Sequence, residues 1–476
     1  MNTSTQRIEN SKNFDFELSF LNRLCSFSNF EIKILGHDDI KASLSKEQET
    51  FNFEISANLL EDDDEKIDLS FAIDNHVYET KKLGNKSSSI KAIADTSVNF
   101  QTTIELSNFH STEFKRQSLF KAIFPVDLKE IKTFHTEFET VTHTRNGSEY
   151  FYDCLRIDLN GKQYDVTQLK NETQGFYIFE CLRQQDYEEF SDICFSIQQA
   201  IGFINKLMVG GEKFVFDEAK NLYYTNNIRP SIRGMYKPIT TNPYSFLDVD
   251  REMADLFYEK LTRISLRTLS SLVYKIHSES EFSAAILVIL EATSIRSLLI
   301  IPSSFAVIIE QLSKHLSIQE RGLETPISDK KLKDKIVKEL HKVIDDNCEN
   351  LNDQIILKLK RRLNEINKPT NKEHLTNNEK LTRPFEQLGI KLSLHDIAII
   401  EHRNDLLHGN ILLTTDEVKD EEKTNLYMMY VSAKLFTLIS KLILKSVGYD
   451  GYVCNQAKYL ERRMKIETQE EYFEKL

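Results

Sequence analysis

Between Asn13 and about Phe179, apolar and polar residues alternate in short runs: FDFELSF (14–20), FEIKIL (30–35), FNFEISANL (51–59), IDLSFAI (67–73), FQTTIEL (100–106), FHTEFETVTH (134–143) and YFYDCLRIDL (150–159). A period of two in aromatic and β-branched residues predicts half-buried strands in a mainly antiparallel arrangement. The polar stretches EDDDEK (61–66), GNKSSS (84–89), RNGSE (145–149) and NGKQ (160–163) read as turns, the acidic one as a solvated loop rather than a cation site. Near 187–208 the spacing changes. Phe190, Ile193, Ile197, Ile201, Ile204 and Met208 recur every three or four residues, which predicts an amphipathic helix. GGEKFVF (210–216) returns to a strand, and the Pro-containing stretch from Ile228 to Tyr244 closes this half.

From Asp248 onward the periodicity is helical, with helices expected at 250–278, 282–300, 303–317, 328–348, 352–367, 393–409, 415–447 and 455–474. Polar breaks fall at Glu320–Ser328 and Lys368–Asn378. The long helix from Glu417 to Ser446 carries Leu426, Met429, Val431, Leu435, Leu438, Ile439 and Leu442 on a broad apolar face, suited to packing in a bundle or against a second copy. The expected class is α+β, with a β-rich region at 1–245 and an all-helical domain at 248–476.

Composition sharpens this division. Residues 1–250 hold 27 Lys and Arg against 39 Asp and Glu, while residues 251–476 hold 34 of each, so the net charge of −12 belongs to the first half. That half also holds 24 of the 30 phenylalanines, as a strand-rich region would. The six cysteines are scattered without a CxxC, which argues against a disulfide framework or a structural zinc. The opening MNTSTQRIENSKN is polar with no apolar stretch behind it, and Phe282–Leu312 is interrupted by Glu291, Arg296 and Pro302. Neither a signal peptide nor a membrane span is expected, and a cytoplasmic location follows.

There is no GxxxxGK[ST], GxGxxG after a strand, HExxH or GxSxG, which removes most of the weight from the enzyme classes those motifs serve. His37-Asp38 and His395-Asp396 have the look of paired ligands in a metal-dependent phosphohydrolase but lack the further His and Asp such a site needs. The stronger feature is SLHDIAIIEHRNDLLHGN (393–410). At about 100° per residue, Ile397, Ile399, Ile400, Leu406 and Leu407 form an apolar arc, Glu401, His402 and Asp405 face away from it, and Arg403, Asn404 and His408 point toward it. A guanidinium and an imidazole in an apolar wall are costly unless paired or lining a cavity. Two readings stay open on pattern alone: a site, or a structural network in which Arg403 pairs with a buried acid such as Glu291 and His408 hydrogen-bonds near the helix end marked by Gly409.

The stretch RNxxxHG, with Arg403, Asn404 and His408 at the end of one helix and a long helix after it, resembles the HEPN superfamily (higher eukaryotes and prokaryotes nucleotide-binding domain). The tail LILKSVGYDGYVCNQ (442–456), with its GYxGY, is similar to the Apea-like HEPN subfamily, whose members carry a β-rich region before the bundle. The resemblance is firmest over 393–456, extends over 250–462 and is architectural before that. It implies a metal-independent endoribonuclease without cofactor, of the kind associated with bacterial anti-phage or toxin-type defence. By the resemblance, Arg403 and His408 are the catalytic pair and Asn404 orients them, with the protein acting as a homodimer through the HEPN domain. Its RNA would be a tRNA or a phage or host transcript, and the β-rich half would respond to a phage-derived trigger. One toxin subfamily has a Tyr two residues past the motif His; here Asn410 stands at that position and Ile411 follows, so regulation through that Tyr does not carry over.

These residue types suit the chemistry. RNA cleavage without metal needs one group to take the 2′-OH proton, another to protonate the leaving 5′-oxygen, and a cation for the phosphorane-like transition state. Histidine exchanges protons near neutral pH, and arginine offers a permanent charge in a planar fork. One motif supplies one His, so two protomers about a two-fold axis most easily supply the acid and base. Products would carry 2′,3′-cyclic phosphate and 5′-OH ends. Between Lys330 and Lys391 there are 15 Lys and Arg against 10 Asp and Glu, so Lys358, Lys360, Arg361 and Arg362 are candidate RNA contacts, with solvated helix faces the plainer reading. The alternative function is a non-catalytic module binding nucleotide, RNA or protein, with Arg403 and His408 in a structural network.

Overall fold

The computed structural model describes residues 11–26, 30–34, 41–47, 50–55, 69–73, 76–80, 83–93, 97–145, 149–226, 229–247, 250–317, 323–324, 327–347, 352–365, 368, 370–371, 376–402, 421–458, 460–461 and 470–476. The chain is α+β: most of its strands precede residue 234 and most of its helices follow residue 250. Eleven helices lie among the described residues: α1 (Asp15–Ser26), α2 (Tyr187–Asn205), α3 (Arg251–Tyr258), α4 (Leu266–Ser278), α5 (Ser280–Ile295), α6 (Ile300–Leu316), α7 (Lys330–Asp346), α8 (Asp353–Glu365), α9 (Asn377–Gln387), α10 (Leu394–Glu401) and α11 (Glu421–Ser446).

Sixteen strands join in one sheet. From one edge the order is Ser11–Lys12, Val141–Arg145, Glu149–Leu159, Lys162–Lys170, Gly175–Cys181, Lys121–Val126, Glu212–Phe216 and Leu222–Asn226. It continues through Asn108–Ser111, His76–Thr80, Leu69–Ile73, Phe30–Ile34, Lys41–Glu47, Thr50–Ile55, Ser97–Leu106 and Leu83–Ile93. Among the described strands of this sheet, only Ser11–Lys12 pairs in parallel, with Val141–Arg145. The NGKQ turn is a two-residue hairpin: Asn160 and Gly161 both take positive φ (54° and 84°) and Leu159 pairs with Lys162, the backbone that matches strand twist. Around Phe51, aromatic rings interlock; Tyr224 lies 4.8 Å away edge-on and Phe109 at 5.5 Å.

Several expected elements take another form. All of FDFELSF after Phe14 lies in α1, and Phe14, Glu17, Leu21 and Leu24 are buried at three- and four-residue spacing whereas Phe16 is exposed. GNKSSS is not a turn but part of the edge strand Leu83–Ile93, which a polar run satisfies since an edge pairs on one side only. In FHTEFETVTH, Phe134–Thr136 forms a short 3-10 turn whose amides at Phe134 and His135 donate to Asp153 at 2.8 and 2.9 Å, and the strand starts at Val141. The helix expected at 250–278 breaks between α3 and α4, where the Ile264 amide donates to the Glu137 carbonyl and the Ser265 hydroxyl caps α4. Where the end of a final helix is expected, Phe473–Lys475 is a strand paired with Tyr452–Cys454, and α9 overlaps a stretch read as a polar break. EDDDEK and His37-Asp38 lie outside the described residues.

The change of class at 245/248 is not the boundary between compact units. One unit comprises 1–312 and 393–476, the other 313–392. Strands and helices share a core in the first: α4 packs on α2 and on Glu149–Leu159, the Asp158 amide donates to the Ser270 hydroxyl at 3.0 Å, and Phe436 of α11 meets Phe203 of α2. Apolar faces on both kinds of element find each other, so neither half is closed by itself. A buried ion cluster holds the sheet's edge, with Asp165 receiving Arg156 in a fork (2.8 and 2.9 Å) and Lys12 at 2.7 Å. The 313–392 unit contains α7, α8, α9 and a short ladder between Leu323–Glu324 and Thr370–Asn371. None of the described side chains of α7 is buried.

Candidate functional site

Arg403, Asn404 and His408 lie outside the described residues, whereas the helix that leads into them is defined. Ser393 and Asp396 form a reciprocal capping box at the start of α10: the Ser393 hydroxyl accepts from the Asp396 amide at 3.0 Å, and the Asp396 carboxylate accepts from the Ser393 amide at 2.9 Å. Ile399 and Ile400 are buried, and Glu401 and His402 are exposed, as the helical wheel expects.

Asp396 does more than cap. The residue is 2% exposed, and its carboxylate lies 2.7 Å from Lys434 Nζ and 4.0 Å from Lys441 Nζ. Both lysines sit on α11 and are fully buried; seven residues apart, they fall on one helix face. Lys434 also contacts Glu470, and Lys441 contacts Glu474 on the terminal strand. Asn455 Nδ2 donates to Glu470 at 2.8 Å. Two ammonium groups and three carboxylates are therefore shared by α10, α11 and the C-terminal ladder. Burial alone would push the Asp396 carboxyl up, but Lys441 and Lys434 together hold it below the usual carboxylate range. Burial wins at Glu474, pushing its carboxyl up against the pull of Lys441 and Lys434. The His395 ring stands tilted 5.5 Å from Tyr430.

The GYxGY tail has a structural explanation. Gly448 takes φ +80° just past α11, and the Tyr449 amide reaches back to the Leu444 carbonyl at 3.0 Å, a left-handed helix stop. At Gly451 a Cβ would stand 2.2 Å from the Tyr449 hydroxyl, so only glycine lets that ring lie across the turn. The strand from Tyr452 then binds the body of the unit, its Cys454 amide donating to the Pro238 carbonyl at 2.9 Å. The tail places Asn455 and Glu474 at the charge cluster.

Other expectations resolve differently. Glu291 is not a buried acid: it is exposed on α5 and pairs with Arg229. Asp396 of the His395-Asp396 pair faces two lysines, and among the described residues no group of three or more His, Cys, Asp or Glu is placed to hold an ion. Lys358, Arg361 and Arg362 are exposed on α8, whereas Lys360 pairs with Asp345 of α7. α11 is long and apolar enough to cross a membrane by length and composition, yet Met428 and every residue from Tyr430 to Leu444 are buried inside the protein. Sequence reasoning missed Lys434, Lys441, Asn455, Glu470 and Glu474. The available signal was two lysines two turns apart on an otherwise apolar helix.

No family model matches the chain, and comparison with curated proteins and with solved structures likewise found no match.

Proposed function

We propose that the protein is a metal-independent endoribonuclease of the HEPN type, Apea-like, acting in bacterial anti-phage or toxin-type defence in the cytoplasm. Arg403 and His408 perform the chemistry, Asn404 orients them, and the products carry 2′,3′-cyclic phosphate and 5′-OH ends. The observation that carries this reading is that the chain continuing α10 bears RNxxxHG, while α10 itself is pinned through Asp396 to buried lysines of the long helix that follows. A helix fixed at one end by a buried ion cluster is a rigid mount, which positions catalytic groups better than a loop does. Lys358, Arg361 and Arg362 supply RNA contacts through exposed cations, and Lys360 does so only by giving up Asp345. Residues 1–245, which carry the acidic excess and repel a polyanion, regulate cleavage in response to a phage-derived trigger.

Purified full-length protein incubated with a tRNA pool in EDTA is expected to cleave it and leave cyclic phosphate ends. Cleavage that requires an added divalent cation would overturn the proposal. A homodimer supplies the second histidine, so light scattering at micromolar concentration is expected to give twice the 55.5 kDa chain mass. A strict monomer with full activity would contradict the two-fold site.

A further inference from the structure

Among the described residues, four lysines are buried to nine-tenths or more: Lys12, Lys213, Lys434 and Lys441. Three of them hold carboxylates, Lys12 on Asp165 and Glu180, Lys434 on Asp396 and Glu470, and Lys441 on Glu474. Lys213 does not. Its Nζ donates to the Ser191 hydroxyl at 2.6 Å and stands 5.9 Å from the Tyr187 ring, and no carboxylate of the described residues lies within ion-pair distance. A desolvated ammonium with one neutral acceptor is an uncompensated charge with two donor positions left over. Burial pushes its pKa down, and Cys194, Glu188 and Asp192 offset that only in part.

Lys213 lines a cleft of about 610 Å³, within the range that holds small ligands. One wall is a face of α2, with Ser191, Phe195 and Gln198 at four- and three-residue spacing. The other is the sheet, where Lys213 and Thr225 are directly paired on neighbouring strands. The Thr225 hydroxyl is buried and has no hydrogen-bond partner among the described residues. Phe195 is 39% exposed, an aromatic face left open in the same cleft. Asp192, also on the cleft, is exposed, so solvent screens its charge. The hydrogen-bonded Lys213 ammonium and Ser191 hydroxyl, the Thr225 side chain paired beside Lys213 and the Phe195 ring thus line one cleft.

We propose that this cleft binds a small phosphorylated molecule of the nucleoside monophosphate class, its phosphate on Lys213 with the Ser191 and Thr225 hydroxyls and its base against Phe195. The phosphate is the missing counter-ion of Lys213 and takes several donors at once. A planar base fits the open aromatic face by stacking.

Isothermal titration of the full chain with AMP, inorganic phosphate, adenosine and succinate tests this. AMP is expected to bind saturably, phosphate more weakly, and adenosine and succinate not measurably. Lys213→Met is expected to weaken AMP by about tenfold to a hundredfold, the usual worth of a hydrogen-bonded charge. Thr225→Val, nearly isosteric, gives a second reading that does not depend on the lysine variant folding, and is expected to weaken AMP several-fold. An Arg403→Ala/His408→Ala chain is expected to keep wild-type affinity, so failure of the ribonuclease reading leaves this result unchanged. The proposal is overturned by absence of saturable AMP binding, by wild-type affinity in folded Lys213→Met or Thr225→Val, by adenosine or succinate binding as well as AMP, or by loss of binding in the double variant.

Discussion

His408→Ala and Arg403→Ala are each expected to abolish RNA cleavage while leaving melting temperature and dimer intact. Removing His408 deletes a proton-transfer group typically worth about 10² to 10⁴-fold in rate. Removing Arg403 deletes a planar, permanently charged fork that a neighbouring lysine does not reproduce. Asn404→Ala is expected to be milder, because it orients the pair and transfers no proton. Cleavage and melting temperature are measured on the same variants. Unchanged cleavage in stable His408→Ala protein defeats the catalytic assignment. A collapse in melting temperature with either variant favours the non-catalytic module, in which the two residues belong to a structural network.

The second large effect concerns stability. Asp396→Ala is expected to cost about 3–5 kcal/mol, because it leaves Lys434 and Lys441 buried with one carboxylate fewer. Asp396→Asn keeps an acceptor for the Ser393 amide but loses the charge, so it is expected to fall between wild type and alanine. Urea unfolding of the three proteins measures this directly, and a loss below about 1 kcal/mol, the scale of an exposed pair, would refute the buried-cluster account. The pH dependence has a definite sign. Asp396 is held below its ordinary 3.8 in the folded chain, so the unfolded chain binds its proton first as pH falls. Its contribution is therefore complete above the ordinary aspartate range and fades as pH drops through the lower folded value. Glu474, pushed above its ordinary 4.5, acts oppositely: it favours the folded chain at low pH and loses that contribution as pH rises through its folded value. Asp396→Asn is accordingly expected to show less loss of stability between neutral pH and pH 3.5 than wild type does, a difference that melting curves across that interval detect.

Because Asp396 lies on α10, seven residues before Arg403 in the chain, the two experiments are linked. If α10 mounts the catalytic residues, Asp396→Asn protein that remains folded is expected to lose catalytic rate without a matching loss of RNA affinity. An undiminished rate in that variant would show that the ion cluster stabilises the fold without positioning the motif.

Much of this protein was legible from its sequence because some patterns are local. The period of two in FNFEISANL and YFYDCLRIDL produced the strands Thr50–Ile55 and Glu149–Leu159, and the three- and four-residue spacing after Asp186 produced α2. The Asn160-Gly161 turn followed from residues that accept positive φ. Arg403, Asn404 and His408, which helical spacing in the sequence picks out, lie outside the described residues. Tertiary structure decided what no local pattern encodes. FDFELSF satisfies a strand period, yet it is a helix because the sheet offers its face to Phe14, Leu21 and Leu24. Phe473–Lys475 is a strand because Tyr452–Cys454 supplies its partner, and Phe473 packs there with Leu247 and Ala254. The two compact units depart from the change in helix and strand content because apolar faces of α2, α4 and α11 close on one another across that change. The charge cluster likewise needed the fold: Asp396, Lys434 and Glu470 are separated by 38 and 36 residues, and only folding brings their charges close enough, in a medium dry enough, for the interaction to exceed what water would screen.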